Sequence, residues 1–277
     1  MEPGIFSRTY ETDSIEETCL RMKAGGLTHT QFNLMNAGIP TLPETFDERK
    51  MEEIKAVTGK HGIILDALSG TFNMIDPDEE ARKAGCQQFE TQCRIARMLN
   101  IPIVTLCTGS KNKESKWKWH EDNEKQSSWD DLIRSTDAIL KYAMDNHIVL
   151  GVETEASNII NTPEKARKYL DCMGSSNIKI IMDAANLFRK EQAADMSHIL
   201  QEAFDVLGKD IVLAHAKDFT ATESMEFVAA GEGMLDFRLY ISLLRRSGYK
   251  GPLIMHGLSE AQIAGSRKFL EEIIADA

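Results

Sequence analysis

Positive charge is in short supply: 32 lysines and arginines face 43 aspartates and glutamates, a net charge of −11 over 277 residues. That balance disfavours nucleic acid or an anionic membrane as partner. The one basic cluster, Lys111 to Lys118, is interrupted by Glu114 and reads as a decorated loop. Cysteines are few, odd in number and without a CxxC pair (Cys19, Cys86, Cys93, Cys107, Cys172), so a reduced, cytoplasmic setting is expected. No window approaches ~18 consecutive apolar residues, and the start, MEPGIFSRTYETDS, has no basic stretch followed by an apolar one. Neither membrane spanning nor secretion is expected. A linker rich in Pro, Gly or Ser is also missing, so residues 1–277 are expected to form a single domain.

Eight short apolar or β-branched runs recur: Gly4 to Tyr10, Thr28 to Leu34, Gly62 to Leu68, Ile101 to Cys107, Ile148 to Thr154, Ile178 to Asp183, Ile211 to Ala216 and Pro252 to His256. Between them, Ala81 to Leu99, Trp129 to Met144, Pro163 to Leu170 and Phe237 to Arg246 carry apolar residues at helical spacing. Asp13-Ser14 before Ile15, and Thr162-Pro163-Glu164, supply cap, proline and acid where a helix start wants them. Near-continuous apolar strands alternating with helices predict an α/β fold, a single (β/α)8 TIM barrel. A doubly wound open sheet is the rival. Its GxGxxG after the first strand is missing, and Gly231-Glu232-Gly233 comes late and lacks the third glycine.

Glu153, Asp183 and His215 each end an apolar run, separated by 30 and 32 residues, one strand plus one helix. Three successive strands should therefore aim donors at one point. Counting in twos places Val149, Gly151, Glu153 and Glu155 on one face, and Ile211, Leu213, His215 and Lys217 on another. Carboxylates with imidazole at a barrel mouth predict one divalent metal ion, with manganese, zinc, iron or cobalt suiting the set better than magnesium or calcium. Taken singly, each carboxylate could instead cap a helix or pair with Lys217, and His215 could be a hydrogen-bonded core residue. His256 sits where a fourth ligand would project; it could equally bind substrate or fix its loop.

Asn186, one turn past Asp183, reads first as a helix cap and second as a substrate donor. Ser69 to Asn73 reads as a turn or as a polar rim. The long connection Thr108 to Ser128 holds Trp117, Trp119 and His120, and such loops are often functional covers. No basic, glycine-rich phosphate cradle stands out, which favours an unphosphorylated substrate.

The segments GVETE (Gly151 to Glu155), IMDAANLF (Ile181 to Phe188), HAKDF (His215 to Phe219), AAGEGMLDF (Ala229 to Phe237) and PLIMHGLSE (Pro252 to Glu260) resemble the sugar phosphate isomerase/epimerase family with a xylose isomerase-like TIM barrel. The resemblance runs through the whole chain in order and is less specific for substrate than for fold. It implies a metal-dependent isomerase or epimerase acting on a sugar or polyol-derived ketone, with a small-molecule carbohydrate as partner. It implies metal ligation by Glu153, Asp183, His215 and, at a position commonly glutamate in the family, His256. Acid/base work would fall to Glu153, Glu155, Lys217 or His256, and substrate contact to Trp117, Trp119, His120 and Asn186. As alternatives the tryptophans pack the loop onto the rim and Lys217 simply pairs with Glu155.

Losing a carboxylate at the fourth corner weakens a symmetric two-base scheme. A lyase of the inosose dehydratase type needs an acid on one face only, and a non-catalytic sugar-binding barrel is a further alternative. The endonuclease branch of the same fold needs many histidines, and this acidic chain has seven. The residues leave oligomeric state open, a homo-oligomer included.

Overall fold

Eight parallel strands close into a barrel in the computed structural model, which describes residues 1–221 and 224–276. In chain order the strands are β1 (Pro3–Phe6), β2 (His29–Phe32), β3 (Ile64–Ser69), β4 (Ile103–Leu106), β5 (Val149–Glu153), β6 (Ile178–Asp183), β7 (Ile211–Ala221), β8 (Met225–Ala229) and β9 (Leu253–Met255). β1 to β7 follow one another around the wall, and β9 joins β7 back to β1. β8 stands outside this ring, antiparallel to the end of β7. Eight α-helices among the described residues complete the (β/α)8 barrel: α1 (Ile15–Ala24), α2 (Glu48–His61), α3 (Glu79–Met98), α4 (Gln126–Asn146), α5 (Pro163–Met173), α6 (Met196–Leu207), α7 (Phe237–Arg246) and α8 (Ile263–Asp276).

The strands are apolar because both faces are covered. β4 and β9 are buried at every residue, and β6 at all but Lys179. Inside the barrel, Ala67, Ile103, Ile181, Leu213 and Ile254 form a small core of their own. Gly151 belongs to this layer: a Cβ there would lie 2.7 Å from Ile181 Cδ1, so the glycine makes room for the isoleucine. Outside, the helices bury their apolar stripes on the sheet. The expected caps are in place: Ser14 accepts from Glu17 N–H and Thr162 from Lys165 N–H, with Pro163 in the first turn.

Two features depart from the reading of alternation. Between β6 and β7 the register shifts, Ile180 pairing with Ile211 but Ile181 with Leu213. The extra residue, Val212, packs against the inner core and Ile211 against the outer one, so counting in twos fails at Ile211. β7 also runs 11 residues, well past the rim, because Lys217 to Ala221 pair with β8. This hairpin was not foreseen.

Candidate functional site

β5, β6 and β7 deliver Glu153, Asp183 and His215 to one point at the C-terminal mouth of the barrel. Asp183 and His215 are direct register partners across the β6–β7 ladder, which makes their approach a property of the sheet. Above them Tyr240 of α7, fully buried, donates its hydroxyl proton toward Met182 O and His215 O at 2.9 and 3.1 Å. His215 Nδ1 lies 3.4 Å from Glu153 Oε1 and 3.5 Å from Asp183 Oδ2. Among the described residues these three form the one group of metal-capable donors, all within 4.8 Å of one another.

A second layer fixes the orientation of these groups. His215 Nε2 is 2.9 Å from Gln31 Oε1 at the end of β2, so with that carbonyl as acceptor Nε2 carries hydrogen and Nδ1 faces the carboxylates. Asp183 Oδ1 accepts from Ala185 N–H at 3.1 Å, capping the short 3₁₀ turn that follows β6. Asn186 therefore does not cap, contrary to the first reading of the sequence. Its amide donates to Glu153 Oε1 at 2.8 Å and to Glu155 Oε2 at 3.2 Å, and its carbonyl accepts from Lys217 Nζ at 2.7 Å. Lys217 pairs with Asp183 Oδ2 at 3.1 Å, not with Glu155.

The electrostatics follow from this crowding. Burial and the charge of Glu153 push the Glu155 carboxyl up to about 6. Burial alone would raise Asp183, but Lys217, then His215 and His256, outweigh it and hold the group well below the usual carboxylate range. Burial disfavours a charged His215, yet Glu153 and Asp183 more than reverse this and carry the ring up to about 9. Lys217 is likewise disfavoured by burial and held above its ordinary value by Asp183, Glu153 and Glu155. The cluster demands positive charge between its carboxylates.

His256, just beyond β9, stands apart from the donor group. Its ring stacks on that of His215 and lies 5.2 Å from the Phe6 ring. Burial, then repulsion by His215 and Lys217, push its imidazolium down to about 3, so the ring is neutral.

Glu153, Glu155, His215, Lys217 and His256 line a cleft of about 460 Å³ together with Gln31, Asn158, Trp117 and Phe227; Asp183 and Asn186 are buried and are not among its lining residues. Trp117 is half exposed over it. Trp119 and His120 are not among the lining residues: Trp119 is half exposed, and His120 Nδ1 accepts from Asp122 N–H at 3.1 Å, capping a 3₁₀ turn. Polar side chains tie the loop down: Asn158 takes Gly109 N–H and donates to Lys116 O, and Asn73 both donates to Ser110 O and accepts from Ser110 N–H. Lys111 of the loop meets Asp131 of α4, which also pairs with Arg82 and Arg134. Ser69 and Thr71 line the cleft, the polar rim of the two readings.

Sequence reasoning passed over Gln31 and Phe227. Gln31 follows the same inward alternation at the end of β2 that identified Glu153. Phe227 lies on the unforeseen hairpin, its ring centroid 3.9 Å from Lys217 Nζ. The glycines of AAGEG close that hairpin at its base: Asp218 accepts backbone N–H groups from Phe219, Gly231, Gly233 and Leu235. A Cβ on Gly233 would lie 2.3 Å from Asp218 Oδ1.

Two buried atoms test whether a metal suits the mouth. Asp183 Oδ2 and His215 Nδ1 have no hydrogen-bond partner, although Lys217 Nζ lies within ion-pair distance of the former. Two carboxylates and an imidazole Nδ1 that turns toward them, its proton replaceable by a cation, fit a divalent ion.

Comparison with known proteins agrees with this architecture. The xylose isomerase-like TIM barrel family matches residues 25–273. A D-psicose 3-epimerase from Enterocloster bolteae is 23% identical over 233 residues, covering 81% of this chain and 72% of the epimerase. An inosose dehydratase from Glaesserella parasuis is 19% identical over 165 residues, 52% of this chain and 55% of the dehydratase. Among solved structures, a D-tagatose 3-epimerase-like protein has a TM-score of 0.77 at 16% identity, covering 100% of this chain and 98% of its own. With most of its length matched, the chain belongs to the xylose isomerase-like TIM barrel family.

Proposed function

We propose that the protein is a divalent-metal-dependent isomerase or epimerase of a sugar or polyol-derived ketone. The observation that carries this is the convergence of Glu153, Asp183 and His215 at the barrel mouth, where Asp183 Oδ2 and His215 Nδ1 are buried without a hydrogen-bond partner and Glu153 and His215 line the cleft. Glu153, Asp183 and His215 would hold the ion, with Gln31 orienting the imidazole. When bound, a divalent ion supplies positive charge that polarises a carbonyl and offsets the charge of an enediolate. Glu155, or else Glu153, would take the proton from the carbon beside the carbonyl, with Asn186 donating to both carboxylates. Lys217, fixed by Asp183 and Asn186, presents its charge to the cleft wall where negative charge develops. His256, outside the donor group, leaves a neutral ring nitrogen for a substrate hydroxyl.

Dehydration is the second reading, and a specific relationship favours it. Glu153 and Glu155 share one amide, that of Asn186, so both lie on one side of the site, and the far side has imidazole where a second carboxylate would stand. Loss of a β-hydroxyl from the same enediolate needs no acid on the opposite face.

Incubation of manganese-loaded protein with a panel of keto sugars and inososes in D2O, followed by NMR and mass spectrometry, tests both readings. Deuterium at the carbon beside the carbonyl in an epimer or isomer supports the first; loss of water supports the second. A protein that binds no divalent ion at stoichiometry, or that exchanges no C–H proton in any of these ketones, sinks both.

A further inference from the structure

Two of the five tyrosines place their hydroxyls in the barrel wall, one on each edge of the strand that carries His215. Tyr240, on α7, is fully buried, and its Oη lies 2.9 Å from Met182 O and 3.1 Å from His215 O, across the β6–β7 seam. Met182 precedes the donor Asp183, so the hydroxyl spans the two strands at the level where both donors leave them. Tyr249 follows the end of α7. Gly248 turns the chain there with a φ of 84°, and Tyr249 N–H bonds Leu244 O. Its Oη accepts from Ala214 N–H at 3.1 Å and donates to Pro252 O at 2.6 Å, bridging β7 to the residue before β9. Burial pushes both phenols upward, so each keeps the proton it donates.

Below the donors, β6 and β7 slip by one residue between Ile180 and Ile181, so the ladder is irregular just before it reaches Asp183 and His215. Tyr240 closes the seam above that slip, its ring held by edge-on contacts with Phe204 and Phe237. On the other edge of β7, a Cβ at Gly251 would lie 2.5 Å from Tyr249 Oη, so the glycine keeps the space that the hydroxyl fills. Tyr169, equally buried, spends its hydroxyl on Thr136 and joins α5 to α4 instead. We propose that Tyr240 and Tyr249 are positioning residues for the ion, holding His215 against Asp183 through the main chain of β7, Tyr240 from the β6 side and Tyr249 from the β9 side. This rests on the reading of the barrel mouth as a divalent-metal site and deepens it. Neither tyrosine is among the residues lining the cleft, so each reaches the ion through the strands.

Tyr240→Phe and Tyr249→Phe remove the hydroxyls and keep the rings, and Tyr169→Phe is the matched control, losing a buried hydroxyl bond between two helices. The native protein and the variants are compared by calorimetric titration with manganese, by thermal unfolding without metal, and by the visible absorption of the cobalt-loaded protein, which reports coordination geometry. Manganese affinity is expected to fall about tenfold or more in Tyr240→Phe and about threefold or more in Tyr249→Phe, with altered cobalt bands in both. Tyr169→Phe should melt at lower temperature while its affinity stays within about twofold of native. Native affinity and native cobalt bands in Tyr240→Phe overturn the proposal. Equal loss of affinity in Tyr169→Phe also overturns it, because the effect would then be a general loosening of the barrel. Should Tyr240→Phe not fold, Tyr249→Phe decides on the same criteria. Failure of both to fold while Tyr169→Phe folds overturns the proposal, since the hydroxyls then hold the barrel and not the site. Native protein that binds no divalent ion removes the metal reading itself, an outcome distinct from all of these.

Discussion

The rings of His215 and His256 lie 5.4 Å apart, centroid to centroid, and within 11° of parallel. Two stacked imidazoles direct their nitrogens in their own planes, so a ring held parallel to His215 is poorly placed to share its ion. Asp183 and His215, by contrast, face each other across paired strands. His256→Ala is expected to reduce manganese affinity by less than about tenfold, and Asp183→Asn by about a hundredfold or more, measured by calorimetric titration. Equal losses in the two variants would restore His256 as a fourth ligand.

Gln31→Leu removes the acceptor at His215 Nε2 and frees the ring to turn. Metal affinity should fall roughly ten- to a hundredfold, the usual effect of removing such a partner. Gln31→Glu, which keeps an acceptor at that place, should recover part of the loss. Titration of all three proteins with zinc and manganese checks this without recourse to activity.

Asp131 of α4 ties the loop carrying Trp117 to the barrel through Lys111, and pairs as well with Arg82 of α3 and Arg134 of its own helix. Burial raises its carboxyl, but these three cations reverse that and hold it below the ordinary carboxylate value. A depressed folded pKa contributes stability above the unfolded value, about 3.9, that is lost as pH falls below it. The thermal stability gap between the native protein and Asp131→Asn should therefore be largest near neutrality and shrink in acid, as followed by circular dichroism from about pH 7 to about pH 3. A gap that widens in acid contradicts the assignment.

Gly233→Ala inserts a Cβ at 2.3 Å from Asp218 Oδ1 and 2.4 Å from Phe219 O. The second contact is backbone, so the hairpin base must move. About 2 kcal/mol of destabilisation is expected, measured by chemical denaturation. Gly59→Ala, where the added Cβ meets nothing within 4 Å, is the matched control and should not destabilise.

The barrel and its three converging donors were legible because each donor closes an apolar run, and strand-plus-helix spacing repeats. Strand ends are recorded locally. Asn186 was misread for the same reason: cap preference is a local signal, whereas its actual bridge to Glu153, Glu155 and Lys217 joins β5, β7 and the turn after β6. Gln31 carried the right signal, inward alternation at a strand end, but an amide is a less conspicuous donor than a carboxylate. The hairpin was hidden because Met225 to Ala229 mixes polar and apolar residues as an exposed β-ribbon does, and resembles a loop. The extra residue at Val212 could not be read at all, since a bulge is set by how β6 and β7 meet.

The clasp at Asp218 makes the β7–β8 ribbon mechanically separable from the barrel it decorates. One carboxylate holds the base through main-chain groups, which every amino acid except proline supplies, so side chains beyond the base are free of any duty to the clasp. Substitutions at exposed ribbon positions such as Glu226 can then accumulate without disturbing Asp183 or His215. The ribbon can therefore vary in sequence while the donors beneath it keep their places.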